Sequence, residues 1–284
     1  MIRIMFAITA LFLFIGGCAD VTEERHPNII LIIIDTLCAD HLSCYDYHRN
    51  TSPVIDSLAS EGIMYARMQA QAPWTLPAMV TIYTGLTEKS HGCNNYGSYS
   101  CGLDPELPTI VTILHEEGFT TAGFVNINYL GSIFGMEKGF EHFMINDEGH
   151  GRAAETVDEF ISWLDSEEFS EPYFVVFHLF DPHLPYDAPM GFDKTYSEYG
   201  TVGITEWILD ENGVFDPDQA DHLRNLYDGE INWTDSQLSR MFGTIRERHL
   251  AENTLIIFTA DHGEEFLEHG AGGHSTNLYQ QSLH

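Results

Sequence analysis

The chain of 284 residues is long enough for one large domain or two small ones, and 44% hydrophobic content is ample for a buried core. It carries 43 acidic and 12 basic residues, which gives a formal net charge of -31. This charge disfavours nucleic acid and anionic membrane surfaces as partners, and a polyanionic substrate would need a metal or helix ends to offset it.

The first residues, MIRIMFAITALFLFIGGCAD, combine a basic Arg3 with an apolar run too short for a membrane span and small residues before Cys18. This pattern predicts a signal peptide over residues 1–18 and a linker over 19–26. The IGGC segment resembles a bacterial lipobox, in which cleavage leaves Cys18 lipidated and anchors the protein to a membrane. A plain secretory signal is the alternative. Either way, we expect export to the bacterial cell envelope.

Export matters for the four other cysteines because oxidising compartments permit disulfides. Cys93 and Cys101 are the first pair to test, and isolated small core residues are the alternative. No paired C-x-x-C spacing occurs, which disfavours a zinc site built from cysteines.

Continuous apolar runs rich in β-branched residues predict strands that are buried on both faces. The predicted strands cover residues 28–34, 173–180 and 254–260, with a shorter candidate at 120–126. Helical segments are predicted at residues 53–60, 76–83, 108–117, 152–166 and about 218–249. The alternation of strands and helices predicts an α/β fold with a doubly wound, mostly parallel sheet and helices on both faces.

The segment from about 184 to 217 is rich in turn formers and aromatic residues, and we expect it to run over the sheet edge. The chain then ends in LYQQSLH, shortly after its most polar cluster and without a closing strand. We therefore expect the sequence to be truncated at its C-terminus.

Polar side chains cluster where predicted buried strands end. Asp35 follows the first strand, Asp261 and His262 follow the strand at 254–260, and the strand that starts at Tyr173 leads into His178, Asp181 and His183. Because the carboxyl ends of parallel strands meet at one edge, we expect these side chains to converge, and His274 could reach them from a Gly-rich loop. Carboxylate and imidazole suit zinc or manganese. The alternatives are a turn cap for Asp35 and ordinary hydrogen-bonded positions for isolated histidines.

The stretch APWTLPAM places Thr75 where a helix starts, with Pro77 in its first turn. Thr75 could cap the helix. A helix N-terminus is also an anion site, and an alkoxide at Thr75 held by a metal on Asp35, Asp261 and His262 would be a competent nucleophile for phosphorus or sulfur.

Six segments occur in the order that is typical of one family: PNIILIIIDTLCADHLSCYDY, TSPVIDSLASEGIMY, APWTLPAMVTIYTGL, HLFDPHLPY, YDGEINWTDSQL and FTADHGEEFLEHGAGGH. The chain from about residue 27 to its end resembles the N-terminal catalytic domain of the sulfatase family of the alkaline phosphatase superfamily. The resemblance implies an alkaline phosphatase-like α/β fold over residues 27–284. It also implies metal-dependent hydrolysis or transfer of sulfate or phosphate esters.

The resemblance also implies roles for residues of the metal site. Asp35 resembles the first metal-binding aspartate, and Asp261 with His262 resembles the metal pair of the SDHG motif. Thr75 falls at the nucleophile position, where the attacking atom also contacts the metal. His274 lies at the same distance from DHG as a histidine of the phosphotransferring members, which makes it a further candidate ligand.

Other residues are implied to contact the substrate. His183 matches the PH motif, whose histidine contacts substrate in sulfatases and binds a second metal in phosphotransferring members. Asn95 resembles an asparagine that holds the transferred group, with a turn-forming Asn as the alternative. His178 and Asp181 are further candidates for the same region.

The nucleophile segment departs from ordinary sulfatases. They carry Cys or Ser in C-x-P-S-R, which is oxidised to formylglycine, whereas this chain has the run Thr75, Leu76, Pro77, Ala78 and Met79. Threonine cannot form that aldehyde, so no formylglycine is expected. Phosphodiesterases and phosphoethanolamine transferases of the superfamily use a threonine with zinc.

The sequence thus predicts a hydrolase of sulfate or phosphate esters that uses Thr75 and a divalent metal, either zinc or manganese, with calcium as a further candidate. Phosphoethanolamine-transferase-like or phosphodiesterase activity is the alternative. A catalytically degenerate family member that only binds an anion is a third reading. The expected substrate is a small anionic ester or a glycan or lipid head group.

Overall fold

The computed structural model of the chain describes residues 26–94, 101–146, 153–201 and 215–284. The predicted signal peptide with Cys18 lies outside the described residues, and so does Asn95. No helix in the described part is both long enough and apolar enough to span a membrane.

Five strands form one parallel sheet in the order β3-β2-β4-β1-β5. Their bounds are β1 Asn28–Ile34, β2 Thr120–Val125, β3 His142–Ile145, β4 Tyr173–Leu179 and β5 Thr254–Ala260. Four of these confirm predicted strands. The sequence did not predict β3, which has four half-buried residues and therefore no long apolar run. A short antiparallel pair follows β5, with β6 at Glu265–Phe266 and β7 at Gly272–Gly273.

Seven α-helices lie in the described part of the chain. Their bounds are α1 Pro53–Glu61, α2 Thr75–Thr84, α3 Glu88–His91, α4 Ile110–Glu116, α5 Ala153–Trp163, α6 Pro217–Glu247 and α7 Gln280–Leu283. Five of them confirm predicted helices. The other two, α3 and α7, span four residues each and are too short to show helical periodicity.

The sheet is covered on both faces, which confirms the predicted doubly wound arrangement. Along β1, Ile30, Ile32 and Ile34 pack with α5 and the apolar stripe of α6. Leu31 and Ile33 point to the other face and pack with α2. Side chains alternate between the faces of a strand, so a continuous apolar run such as NIILIII supplies both cores.

Residues 254–260 form the predicted strand, but the prediction that both of its faces are buried was wrong. β5 is the outer strand of the described sheet, and Leu255 and Ile257 are 50% and 43% exposed. A cavity of about 1020 Å³ opens along this face, and it is lined by residues of β1, β5, α2 and α4 together with the segment from Leu37 to Gln71. An apolar run records how hydrophobic a strand is, but its burial depends on what packs against it.

The segment after β4 has turns and no helix or strand over residues 184–201, and residues 202–214 lie outside the described part. α6 then begins at Pro217, where the Asp216 side chain caps the helix by accepting a hydrogen bond from the Asp218 N–H.

One buried carboxylate ties α6 to the segment that follows β1. Asp228 lies 2.6 Å from Nδ1 of His41, and it accepts hydrogen bonds from the Tyr47 hydroxyl at 2.7 Å and Arg49 at 2.6 Å. Asp228 is fully buried. Because three polar groups share this one carboxylate, its loss would leave all of them without their acceptor.

We expect Asp228→Asn to lower the free energy of unfolding by about 3 kcal/mol, because breaking a buried ion pair leaves an uncompensated charge. Urea unfolding followed by circular dichroism measures this loss. Asp221→Asn is the matched control on the same helix, since Asp221 pairs with Arg224 at the surface. That change should cost about 1 kcal/mol or less, and equal losses in the two variants would contradict the assignment.

Candidate active site

The site forms where three neighbouring strands end. In the sheet register, Ile34 at the end of β1 pairs with Leu179 of β4 and with Ala260 of β5. Asp35 and Asp261 directly follow β1 and β5, so their two carboxylates lie side by side at the carboxyl edge of the sheet. The structure thus brings together the strand-end residues that the sequence predicts to converge.

Asp35, Asp261 and His262 form a buried cluster in which one potential ligand atom from each lies within 4.8 Å of the others. The Nε2 atom of His262 is 3.3 Å from Oδ1 of Asp35 and 3.5 Å from Oδ2 of Asp261. Two carboxylates and one imidazole at these separations are a donor set suited to a divalent cation.

The turn after β1 is strained and held from two sides. Thr36 has a φ of 54°, which is a rare conformation for a β-branched residue. Its N–H donates to Oδ1 of Asp261 at 3.3 Å, and its carbonyl accepts from the Tyr227 hydroxyl at 2.7 Å. Tyr227 belongs to the apolar stripe of α6, and helical periodicity alone does not reveal that its hydroxyl supports this turn. Strain maintained next to a cluster of acidic residues is typical of functional sites.

The electrostatics of the cluster favour a bound cation. Burial, together with the negative charges of Asp261 and Glu264, holds the pKa of Asp35 well above its usual range. Burial alone would also raise the pKa of Asp261, but the facing His262 and His178 bring it down to about 2. Among the described residues, neither Oδ1 of Asp35 nor Oδ2 of Asp261 has a hydrogen-bond partner. Unpartnered buried carboxylate oxygens fit the coordination of a metal ion.

His262 is oriented as a neutral ligand. Its Nδ1 faces the carbonyl of Gly263 at 3.1 Å and must donate to it, which leaves the Nε2 lone pair directed at the cluster. Burial lowers the pKa of His262 to about 4, so the imidazole is neutral at pH 7. A neutral imidazole with a free Nε2 is the form that binds metals.

Thr75 is the first residue of α2, and its hydroxyl points at the cluster. Its Oγ1 lies 3.3 Å from Nε2 of His262 and 3.4 Å from Oδ2 of Asp35. The capping position belongs to Trp74, whose side chain makes no capping hydrogen bond. The structure therefore does not support the reading of Thr75 as a helix cap, because its oxygen is turned toward the carboxylates.

His183 and His274 border the same space. Their ring centroids are 4.9 Å apart, and the His274 ring lies 4.6 Å from that of His262. Nδ1 of His183 donates to the carbonyl of Leu184 at 2.7 Å, which leaves its Nε2 as an acceptor. Burial, together with the neighbouring His274, lowers the pKa of His183 to about 3.

Two other predicted site residues take different positions. His178 is fully buried, with Nε2 3.5 Å from Oδ2 of Asp261 and 3.9 Å from Oδ2 of Asp35. This position favours contact with the carboxylates over the predicted contact with substrate. Asp181 accepts a hydrogen bond from the Ala153 N–H at 2.8 Å, so its carboxylate is engaged at the start of α5.

Glu264 is a buried acidic residue of the site that sequence reasoning missed. Its Oε1 lies 3.2 Å from Nδ1 of His274, and the side chain is fully buried. The sequence offered one indication of this role, because Glu264 lies two residues after His262 and therefore near the same sheet edge. Motif comparison stops at DHG and does not show which way the next side chain points.

Cys93 and Cys101 form a disulfide, and they are the pair that the sequence put forward as the first to test. Asn95 lies between them in the sequence and outside the described part. Next to the disulfide, the N–H of Cys93 donates to Nδ1 of His91, and Nε2 of His91 lies 3.0 Å from the Thr81 hydroxyl of α2. The bridge is thereby tied to the helix that carries Thr75.

The family model described as Sulfatase matches residues 27–284. The chain is 22% identical to arylsulfatase K of Gallus gallus, over 94% of this chain and 59% of that protein. In structure it is similar to the phosphonate monoester hydrolase of Agrobacterium radiobacter, with 21% identity and a TM-score of 0.75 over 91% of this chain and 67% of the other. It is also similar to the C-terminal periplasmic domain of a phosphoethanolamine transferase of Campylobacter jejuni, with 17% identity and a TM-score of 0.68 over 92% and 77%. These structural matches confirm the predicted fold.

We expect the purified protein to bind zinc or manganese and Asp261→Asn to weaken that binding by on the order of 100-fold or more, because a ligand and a negative charge are lost. Isothermal titration with each metal gives the affinities. Asp158→Asn, which removes a surface carboxylate on α5, is the control and should bind as the wild type does. Unchanged binding in the Asp261 variant would rule out this cluster as the metal site.

Proposed function

Because the chain belongs to the sulfatase family, we propose that it is a metal-dependent hydrolase of sulfate or phosphate esters with Thr75 as its nucleophile. The observation that carries the proposal is the position of the Thr75 hydroxyl. It lies 3.3 Å from His262 and 3.4 Å from Asp35, at the N-terminal end of a helix. A nucleophile beside metal-ligand side chains and a helix N-terminus can be activated and can meet an anion.

Asp35, Asp261 and His262 would hold the cation, and the Thr75 hydroxyl lies next to two of these residues. When bound, the cation lowers the pKa of a coordinated hydroxyl and offsets the negative charge of the ester. The α2 N-terminus adds a partial positive charge on the same side. These local contributions matter because the chain as a whole carries a charge of -31 and repels anions.

In the proposed reaction, the Thr75 hydroxyl gives its proton to the Asp35 carboxylate to which it donates. Its Oγ1 then forms a bond to phosphorus or sulfur while the bond to the ester oxygen breaks. The leaving oxygen takes a proton, which the imidazole of His274 is placed to supply at the border of the site, while the neutral His183 can accept a hydrogen bond there. Water then attacks the threonyl ester, which returns Thr75 and releases phosphate or sulfate. The two histidines would thus act on the leaving group, while the acidic cluster acts on the nucleophile.

A second candidate is phosphodiester hydrolysis or phosphoethanolamine-type transfer, in which an acceptor replaces water. The observation that favours it is the threonine itself, followed by Ala78 and Met79 where formylglycine sulfatases carry Ser and Arg. The structural similarity to a phosphoethanolamine transferase domain agrees with this candidate. A degenerate family member would bind an anion without turning it over.

A rate comparison separates these candidates. The wild-type protein is assayed on an aryl sulfate, an aryl phosphate monoester and an aryl phosphodiester, with zinc, manganese or calcium added in turn. We expect turnover of a phosphorus ester to exceed that of the sulfate. Dominant sulfate turnover would contradict the preference for phosphorus, and absence of turnover with metal bound would favour the degenerate reading.

We expect Thr75→Ala to abolish ester cleavage while the protein stays folded and binds its metal, because the attacking oxygen alone is removed. The loss should reach at least about 1,000-fold in kcat, since covalent catalysis is no longer available. Thr84→Ala is the matched control, because Thr84 is the last residue of the same helix and its hydroxyl donates to the Val80 carbonyl. Normal turnover by the Thr75 variant would sink the nucleophile assignment.

We also propose that the protein acts in the cell envelope, anchored through a lipid on Cys18. The sequence around Cys18 supports this location, and the Cys93–Cys101 disulfide agrees with an oxidising compartment. One structural relative is itself a periplasmic domain.

We expect Cys18→Ser to move the protein from the membrane fraction to the soluble fraction of the host cell, because the lipid attachment site is lost. Immunoblots of the two fractions measure this. Cys44→Ser is the control, since Cys44 is a free cysteine elsewhere in the chain. A Cys18 variant that stays with the membrane would count against the lipid anchor.

A further inference from the structure

We propose that Glu264 is a positioning residue that fixes the imidazole of His274 toward the reacting group. The inference rests on the proposed function, and it names a residue that would orient one of the side chains of that site. Glu264 is 1% exposed, and its Oε1 lies 3.2 Å from Nδ1 of His274. Its carboxylate lies outside the Asp35, Asp261 and His262 cluster and contacts His274 directly, so we assign its orienting effect to His274.

The contact sets the tautomer of His274. We infer that Oε1 of Glu264 accepts this hydrogen bond, which places a hydrogen on Nδ1 of His274. This places Nε2 on the opposite side of the ring from Glu264. The rings of His262 and His183 lie 4.6 Å and 4.9 Å away and border the space where an ester would bind. A carboxylate behind a histidine commonly fixes ring orientation in this way.

Glu264 is itself held in place. Its N–H donates to the Cys38 sulfur at 3.0 Å, and the same sulfur lies 3.2 Å from its carbonyl. The backbone on the other side is also constrained, because Gly273 adopts a φ of 85°, which favours glycine. A Cβ at Gly273 would lie 3.7 Å from Oε1 of Glu264. The Glu264 carboxylate therefore lies close to the backbone that precedes His274, and the backbone on both sides of the contact is restrained.

The burial of Glu264 would cost stability without a compensating role, because a buried carboxylate loses its hydration. Its second oxygen, Oε2, has no hydrogen-bond partner within the described ranges. The hydrogen bond with His274 compensates part of this cost.

A double-mutant cycle tests the inference in the zinc-loaded protein. We expect Glu264→Ala to lower kcat by about 10- to 100-fold, as losses of orienting partners commonly do. Once His274 is replaced by Ala, the further change Glu264→Ala should have no effect, because Glu264 acts through His274. Glu264→Gln should retain more activity than Glu264→Ala, since its amide oxygen can still accept from Nδ1. Glu268→Gln, in the same loop, is the control and pairs with Arg224 at the surface.

Nitrogen NMR of the histidine ring provides a readout that does not depend on turnover. The zinc-loaded wild type should show His274 with its hydrogen on Nδ1, assigned by comparison with His274→Ala, and Glu264→Ala should lose that preference. If Glu264→Ala does not fold, Glu264→Met, which keeps the side-chain volume without an acceptor for Nδ1, serves for both measurements. Additive losses in the cycle, or a wild-type His274 with its hydrogen on Nε2, would overturn the inference. Failure of the proposed function would instead appear as absent turnover with an intact Nδ1–H signal.

Discussion

Asp35 and Asp261 place two carboxylates side by side in the interior, and the site around them depends on how that charge is balanced. Burial and mutual repulsion hold the pKa of Asp35 well above its usual range, while two carboxylate oxygens have no partner among the described residues. A divalent cation would resolve this conflict, because it would supply positive charge where water cannot reach. The strained turn at Thr36 keeps the carboxylates close, and α2 brings the Thr75 hydroxyl to their open side.

The same balance governs substrate binding. A chain with a net charge of -31 repels anionic esters over most of its surface. In the proposed function, attraction would arise locally, from a cation held by Asp35, Asp261 and His262, from the α2 N-terminus and from the imidazole of His274. In the proposed reaction, Asp35, Asp261 and His262 would hold a cation that serves both steps, because it would offset the charge of the substrate group and lower the pKa of the Thr75 hydroxyl. The buried His178 faces the carboxylate of Asp261, and the buried Glu264 faces His274.

Much of the fold could be predicted from the sequence, because long apolar runs and helical stripes report directly on buried strands and helices. The convergence of Asp35 with Asp261 followed from strand ends in a parallel sheet. The short β3 was missed because four residues do not establish a period. The burial of β5 and the directions of Thr75, His178 and Glu264 could not be predicted in the same way. They depend on tertiary packing, which residue type and spacing alone do not encode.

The central claim is that Thr75 is covalently modified during turnover, and trapping that intermediate tests it most directly. The zinc-loaded protein is mixed with an aryl ester, quenched in acid and digested with trypsin, which releases Thr75 in the peptide between Arg67 and Lys89. Fragmentation by mass spectrometry then locates the added group. We expect one phosphoryl or sulfuryl group on Thr75 in the wild type. Its attachment to another residue of a protein that turns the ester over would contradict the account.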